Sequence, residues 1–183
     1  YDPFQFAVDE CHKRGMEVHA WLGCMPIGGA KHIVALGQKS ITQTNSELII
    51  LANGCYYMNP GVPGTKEYIA KIACEITKKY DIDGIHLDYI RYPDTHVRFN
   101  DRRTFAKYGN GVEYHQWKRN NITAIVREVY QDVKKIKPWV KISSSPVGKY
   151  KDTSRYSSKG FNAYHVVYQD PQEWLREGIQ DII

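Results

Sequence analysis

The sequence predicts an α/β fold of the (β/α)8, TIM-barrel type, with three strands and the beginning of a fourth inside the chain. Three observations carry this. Segments with apolar residues at helical spacing alternate with short aliphatic strands, the pattern of parallel βα units. Connections from strand to helix are long, whereas those from helix to strand are tight: Gly15, 81–83, Pro138 and 178–179. In barrels the loops after the strands build the active site. Finally, no strand is followed by Gly-x-Gly-x-x-Gly, which weighs against a dinucleotide-binding sheet.

The elements follow in order. Asp2-Pro3 is a helix cap followed by proline at the first helical position. Phe4, Ala7, Val8 and Cys11 then recur at helical spacing until Gly15. Residues 16–22 read as a strand. Residues 23–63 form a long connection rich in Gly, Asn, Ser and Thr, with a small hairpin between 48–51 and 56–58. A second helix covers about 65–80, its face made by Tyr68, Ile69, Ile72, Ala73 and Ile76. Residues 84–89 form the next strand, and an Arg-rich connection runs to Val112. A long helix spans 113–137, with an apolar stripe of Ile122, Ile125, Val126, Val129, Val133 and Ile136. Pro138 stops it, and 139–145 is the third strand. Asp170-Pro171 repeats the capping device, with Trp174 and Leu175 expected to face inward, and Gln180 starts a fourth strand.

Composition narrows the class. The chain has 183 residues, 13% of them aromatic and 42% hydrophobic, so it can bury a core and is not a disordered segment. No apolar run approaches the roughly 20 residues that a membrane helix needs. The net charge is +5, and it is uneven: residues 98–155 carry 14 Lys and Arg against 5 Asp and Glu. A solvated helix face accounts for that excess, and nucleic acid is not the expected partner. The cysteines at 11, 24, 55 and 74 contain no Cys-x-x-Cys pair, which argues against a zinc ribbon. Cys11 and Cys74 lie on apolar helix faces, while Cys24 and Cys55 share one loop in which they could pair.

Alternation along the strands separates two faces. Val18, Ala20 and Leu22 oppose His19 and Trp21; Ile85 and Leu87 oppose Gly84, His86 and Asp88; Val140 and Ile142 oppose Lys141, Ser143 and Ser145. Ordinary barrels fill their interior with branched aliphatics. Here the interior receives ionisable and polar side chains, which are costly to bury unless they work or pair. Asp88, inward at the C-terminal end of its strand, is the expected catalytic group. Asp81 and Asp83 lie at the other end and read as turn or cap residues. Trp21, Tyr57, Tyr89 and Tyr92 cluster at strand ends, where flat rings stack on sugars. Arg91 and Asn59 could bind hydroxyls, and His19, His86 and Ser145 complete the expected substrate contacts. His19, His86 and Asp88 also admit a reading as ligands of a metal-dependent hydrolase, but there is no His-x-His pair, and neither a metal nor a cofactor is expected.

Several segments carry a family resemblance: Tyr80-Asp-Ile-Asp-Gly-Ile-His-Leu-Asp-Tyr-Ile-Arg-Tyr-Pro93, His-Lys-Arg-Gly-Met-Glu-Val-His-Ala-Trp-Leu (12–22), Tyr-Met-Asn-Pro-Gly (57–61), Trp-Lys-Arg-Asn-Asn-Ile (117–122), Lys-Pro-Trp-Val-Lys-Ile-Ser-Ser-Ser-Pro (137–146) and Val-Tyr-Gln-Asp-Pro (167–171). In this order, over nearly the whole chain, they resemble the bacterial glycosyl-hydrolase-like family ten. The resemblance implies a (β/α)8 glycosidase, exported and acting on a carbohydrate polymer. It makes residues 1–183 a fragment of a single barrel domain, a partial barrel from about strand three to the start of strand six. It puts Asp88, ending strand four, at the position of a catalytic carboxylate. Relatives carry Trp-Leu-Asn-Pro-Tyr after strand three, whereas here Trp21-Leu22 is followed by Gly-Cys-Met-Pro, so the asparagine's sugar contact has no counterpart.

Such a glycosidase needs two carboxyl groups, one as nucleophile or base and one as general acid. Asp94, in the loop after Asp88's strand, is a weak candidate for the second, and the partner is expected beyond Ile183. The competing expectation is a non-catalytic carbohydrate-binding barrel. The chain opens without Met and shows no signal peptide, and it ends as a strand begins. That motivates the expectation of an excised piece whose open strand edges self-associate.

Overall fold

The computed structural model describes residues 1–154 and 159–183. The expected βα succession is present. Helix α1 (Pro3–His12) leads into strand β1 (His19–Gly23), and after a long excursion come helix α4 (Gly64–Lys79) and strand β5 (Gly84–Asp88). Helix α6 (Tyr114–Ile136), strand β6 (Lys141–Ser144) and helix α7 (Pro171–Arg176) follow. The parallel sheet has the order β1-β5-β6, and a parallel bridge from Ser143 to Ile182 begins the fourth strand.

Local chemistry explains the boundaries. Asp2 accepts from the N–H groups of Phe4 and Gln5 to start α1. The hydrogen bond from Lys79, the two backbone donors and the Tyr80 hydroxyl hold its carboxyl down at about 2. Glu113 caps α6 through the N–H groups of His115 and Gln116, and Asp170 caps α7. Two strands are shorter than their sequence pattern. β1 begins at His19 because that residue is the first in register with β5, opposite Gly84. β6 begins at Lys141 because Pro138 and Trp139 turn back, with the Val140 N–H donating to the Lys137 carbonyl.

The aliphatic faces of the strands meet the helices. Ile85, Leu87 and Ile142 are fully buried against Ile122, Ile125, Val126, Val129 and Val133 of α6 and Ile69 and Ala73 of α4. Trp174 closes this layer, its indole N–H donating to the Thr123 hydroxyl at 3.0 Å. Ile136, expected in the stripe, is only half-buried, at the helix end. Leu175, expected to face inward beside Trp174, is instead 58% exposed.

Two connections hold more structure than their composition shows. Between β1 and α4 the chain forms β2 (Pro26–Gly29), helix α2 (Ala30–Ala35), helix α3 (Ile41–Thr44), β3 (Ile49–Ala52) and β4 (Cys55–Met58). The three strands make a separate antiparallel sheet of order β2-β4-β3. The expected hairpin is its β3-β4 half, turned by Asn53 and Gly54, both at positive φ, as a tight hairpin requires. In the Arg-rich connection, α5 (Arg102–Tyr108) is a short helix. Cys24 and Cys55 do not pair, since all four thiols are free. The Cys24 S–H donates to the Leu22 carbonyl, and burial, with Asp88 near, pushes its pKa up.

Part of the basic excess of residues 98–155 is met by carboxylates from outside the run: Arg127 with Glu177, Lys134 with Asp181, Lys137 with Asp81 and Lys141 with Glu17. Arg155, the last cation of that run, lies outside the described residues.

Candidate active site

The C-terminal edge of the parallel sheet opens into a cavity of about 490 Å³, whose lining includes Gly23, Asp88, Tyr57, Tyr89, Arg91 and Asp94. Strand geometry delivers Asp88 to its floor. Ile85 and Leu87 point into the helices, so Asp88, one residue on, emerges on the opposite face at the strand end. Backbone bonds fix this end: the Cys24 N–H donates to the Asp88 carbonyl at 2.9 Å. Tyr89 then turns the chain with φ 48°, uncommon for an aromatic residue. That turn aims its N–H at the Asp88 carboxylate, 2.8 Å away.

The cavity wall is an ionic and aromatic loop. Arg91 pairs with Asp94 at 2.5 Å, and its guanidinium lies 5.0 Å from the Tyr89 ring centre. Tyr57 enters from β4, across the cavity; burial, then Cys55 and Asp94, raise its phenol pKa. Asp88 thus pairs with neither Arg91 nor His86 and is partly exposed to the cavity.

A second group lies on the same face of the sheet, in a groove of about 630 Å³ lined by His19, His86, Ser143 and Ser145 among others. His86 bonds Ser143 Oγ through Nδ1 at 2.9 Å and Ser145 Oγ through Nε2 at 3.3 Å. Trp21 sets its indole edgewise to the His86 ring, 5.4 Å between centres, and remains 73% exposed. Deeper along the face, Glu17 bridges His19 Nε2 at 3.2 Å and Lys141 Nζ at 2.6 Å, so these ionisable groups are paired. The last row below the sheet is structural: Asp83 accepts from the Val18 N–H at 2.7 Å and contacts His12 Nε2 at 2.8 Å.

Two expectations need correcting. Asn59 is not at the cavity. It is 3% exposed, its amide donates to Thr104 Oγ1 at 2.8 Å, and its carbonyl oxygen accepts from the Gly61 N–H. Its role is to tie the end of β4 to α5. Tyr92 borders the cavity but is 2% exposed, with Phe99 and Tyr168 edgewise to its ring. It is part of the wall and offers little ring face for stacking.

The metal reading fails on geometry. His19 is in register with Gly84, and Asp88 with Gly23, so four strand positions, about 13 Å, separate them along the sheet. Among the described residues, no group of three or more His, Cys, Asp and Glu side chains could hold an ion.

One cluster was missed from the sequence. Lys118 is 7% exposed, with its ammonium 4.6, 4.6 and 4.8 Å from the rings of Tyr92, Tyr114 and Tyr168. Asp101, itself buried, pairs with it at 3.5 Å and accepts from the Tyr114 hydroxyl. Burial lowers the Lys118 pKa against the pull of Asp101. This buried pair anchors the cavity's back wall to α6. The available signal was a lysine beside the apolar stripe of a helix, which ordinarily marks a solvated edge. Val97 and His96, also on the lining, sit in the loop after Asp88's strand, where barrel geometry alone would have placed them.

Comparison with known proteins gives concordant results. A family model described as Glycosyl hydrolase-like 10 matches residues 1–183. The chain is 31% identical over 198 residues to the glycosyl hydrolase DigH of Escherichia coli strain K12, covering 100% of this chain and 45% of that protein. It is 30% identical over 193 residues to the glycosyl hydrolase YngK of Bacillus subtilis strain 168, covering 100% and 38%. The chain therefore spans less than half the length of these relatives. Among solved structures, α-L-fucosidase isoenzyme 2 from Paenibacillus thiaminolyticus superposes with a TM-score of 0.58 at 13% identity, over 81% of this chain and 24% of that one. That likeness concerns the fold.

Proposed function

The chain belongs to the glycosyl hydrolase-like 10 family, and from that premise we propose that it carries part of the active site of a glycoside hydrolase acting on a carbohydrate polymer or oligosaccharide. The fold is the arc of a (β/α)8 barrel, and we read residues 1–183 as part of one such domain. The observation that carries the reading is Asp88: a carboxylate at the C-terminal end of a barrel strand, on the floor of an open cavity, oriented by a backbone N–H.

Hydrolysis divides two tasks between carboxyl groups. One attacks the anomeric carbon or activates a water, while the other protonates the leaving oxygen. Asp88 takes one of these tasks. Asp94 shares the cavity, yet its carboxylate is held by Arg91, so it serves to fix the loop. We place the second carboxyl on a strand that follows Ile183 in the barrel order. Separations of about 5–5.5 Å between the two would give retention and about 6.5–9.5 Å inversion. Tyr57, Tyr89 and Trp21 would stack on sugar faces, and His19, His86, Arg91 and Ser145 would meet hydroxyls. Export is part of this proposal, on family grounds; among the described residues no helix is long and apolar enough to cross a membrane.

The test is a panel of cello-, xylo-, malto- and chito-oligosaccharides and their polymers, assayed with the full-length protein and its Asp88→Asn variant. Cleavage by the wild type and loss of at least about a thousandfold in the variant, with unchanged melting, is the expected result. Retained sugar binding with no cleavage by either protein would instead identify a binding barrel.

A further inference from the structure

The inward face of the sheet carries a hydrogen-bond chain whose direction can be worked out. In the β5-β6 register His86 lies opposite Ser143, and Ser145 follows two residues later on the same face. The imidazole therefore sits between two hydroxyls, with Nδ1 2.9 Å from Ser143 Oγ and Nε2 3.3 Å from Ser145 Oγ. A neutral imidazole has one N–H and one acceptor nitrogen, so one hydroxyl receives a proton and the other gives one.

Ser143 decides which. It is 5% exposed, and its hydroxyl is already directed to a backbone acceptor, the Ile85 carbonyl, at 3.4 Å. A Ser143 hydroxyl turned to that carbonyl meets Nδ1 as an acceptor. The Nδ1 nitrogen then holds the ring proton, and Nε2 is left as a bare acceptor. Among the described residues, the hydrogen-bond partner of Nε2 is the hydroxyl of Ser145, whose residue is exposed on the groove.

We propose that Ser143 holds His86 as the Nδ1–H tautomer, so that Nε2 takes the Ser145 hydroxyl proton and the Ser145 oxygen is presented to the groove as an acceptor for a sugar hydroxyl. This rests on the glycosidase reading above and assigns it a specificity contact. Continuing the register that pairs His86 with Ser143 and Leu87 with Ser144 brings Ser145 level with Asp88 on the neighbouring strand, about 5 Å across the sheet, so one pyranose ring reaches both. A sugar unit whose bond is cleaved at Asp88 thus needs a free hydroxyl, acting as donor, over Ser145. A ring methylated or acylated at that position would meet the acceptor without a proton and leave it unpaired. Ser145 touches substrate; His86 and Ser143 are positioning residues that act through it. The Trp21 indole, edgewise to the imidazole, walls the ring on its open side.

The test reads the imidazole and the enzyme separately. Nitrogen NMR of the His86 ring in the full-length protein, assigned with His86→Gln and recorded where the ring is neutral, should show protonated Nδ1 and unprotonated Nε2. In Ser143→Ala the Nε2–H form should rise. An Nε2–H ring in the wild type overturns the proposal whatever the enzyme does. In kinetics on the fastest-cleaved oligosaccharide of the panel, Ser145→Ala should raise KM up to about tenfold with kcat nearly unchanged. Ser145→Thr, which keeps the hydroxyl, should restore it. Wild-type KM in Ser145→Ala overturns the acceptor role while leaving the glycosidase reading standing. An Nδ1–H ring in a wild type that neither binds nor cleaves any member of the panel defeats both the glycosidase reading and the sugar contact built on it.

Discussion

The His19 imidazole occupies the space where Gly84 would carry a side chain. A Cβ at position 84 would come within 2.4 Å of His19 Nδ1 and 2.6 Å of Cε1. The two residues are register partners on adjacent parallel strands, so the ring leans across the sheet onto a bare backbone. Gly84 is thus required by close approach, on an inward face that otherwise carries large polar groups.

Gly84→Ala should consequently destabilise the protein by roughly 1–3 kcal/mol, the range for overpacking a filled site. The cost should shrink when His19→Ala is added, because the competing ring is gone. Urea denaturation of the four proteins in this double-mutant cycle measures the coupling. Additive effects would show that the ring does not press on position 84.

Trp21→Ala should leave thermal stability within about 0.5 kcal/mol of wild type, as for other surface substitutions, since the indole is 73% exposed. Oligosaccharide affinity should fall, by about 0.5–2 kcal/mol if the ring stacks on a sugar. Calorimetric titration alongside thermal melts separates the two effects. A collapse in melting temperature with unaltered affinity would make Trp21 a packing residue.

Asn59→Ala should behave in the opposite way. It removes one buried and one partly buried hydrogen bond and leaves the Gly61 N–H without its acceptor, at a cost of about 1–3 kcal/mol. Sugar affinity of the folded variant should stay at the wild-type level. Denaturant midpoints and titration on the same samples check both halves.

The His12–Asp83 contact makes stability depend on pH. The hydrogen bond that His12 donates to the Asp83 carboxylate, opposed by burial, raises the His12 pKa above 6.5. Burial pushes Asp83 up, but the Val18 N–H and His12 outweigh it and hold the carboxyl below 3.8. The sign for a raised histidine is that its contribution is complete below 6.5 and is lost as pH climbs through the higher folded value. The aspartate contribution is present above 3.8 and is lost as pH falls through its lower folded value. Melting temperature should accordingly drop from slightly acid to mildly alkaline pH, and His12→Gln should flatten that slope. An equal slope in the variant would assign the effect to another group.

Long periodic elements were legible in the sequence, and short elements held by their neighbours were not. The apolar stripe of α6 can be read directly, since Ile122, Ile125, Val126, Val129 and Val133 are all fully buried. The caps at Asp2 and Asp170 are local chemistry and equally plain, whereas Glu113, read as the first helical residue, is the cap of α6. In contrast, β2, α2, α3 and α5 have four to seven residues each, too few for a period to show. The first three exist because the excursion buries Ile33, Leu48 and Met58, and α5 because Phe105 packs on Tyr114 and Trp117. Strand alternation carried the placement of Asp88 and His86, because it needs only parity. Asn59 shows the limit of that logic: the same amide serves equally well for a sugar or for a buried backbone N–H, and only the fold decides.

The small antiparallel sheet between β1 and α4 puts one wall of the cleft on a different sheet from its floor. Asp88 rides on the barrel strands, whereas Tyr57 rides on β4. The Met58 N–H to Met25 carbonyl bond, at 2.8 Å, and the Asn59 N–H to Leu48 carbonyl bond, at 2.7 Å, lie at the root of the excursion. At its far end the Asn53 amide donates to the His96 carbonyl and accepts from the Arg98 N–H, so the wall is tied both to its own root and to the loop after β5. Cleft width, and with it the girth of chain admitted, is therefore open to change by substitutions around Met58 and Asn53, which are not on the cavity lining that holds Asp88. Evolution or an engineer could retune what enters the groove while the chemistry at the strand end stays as it is.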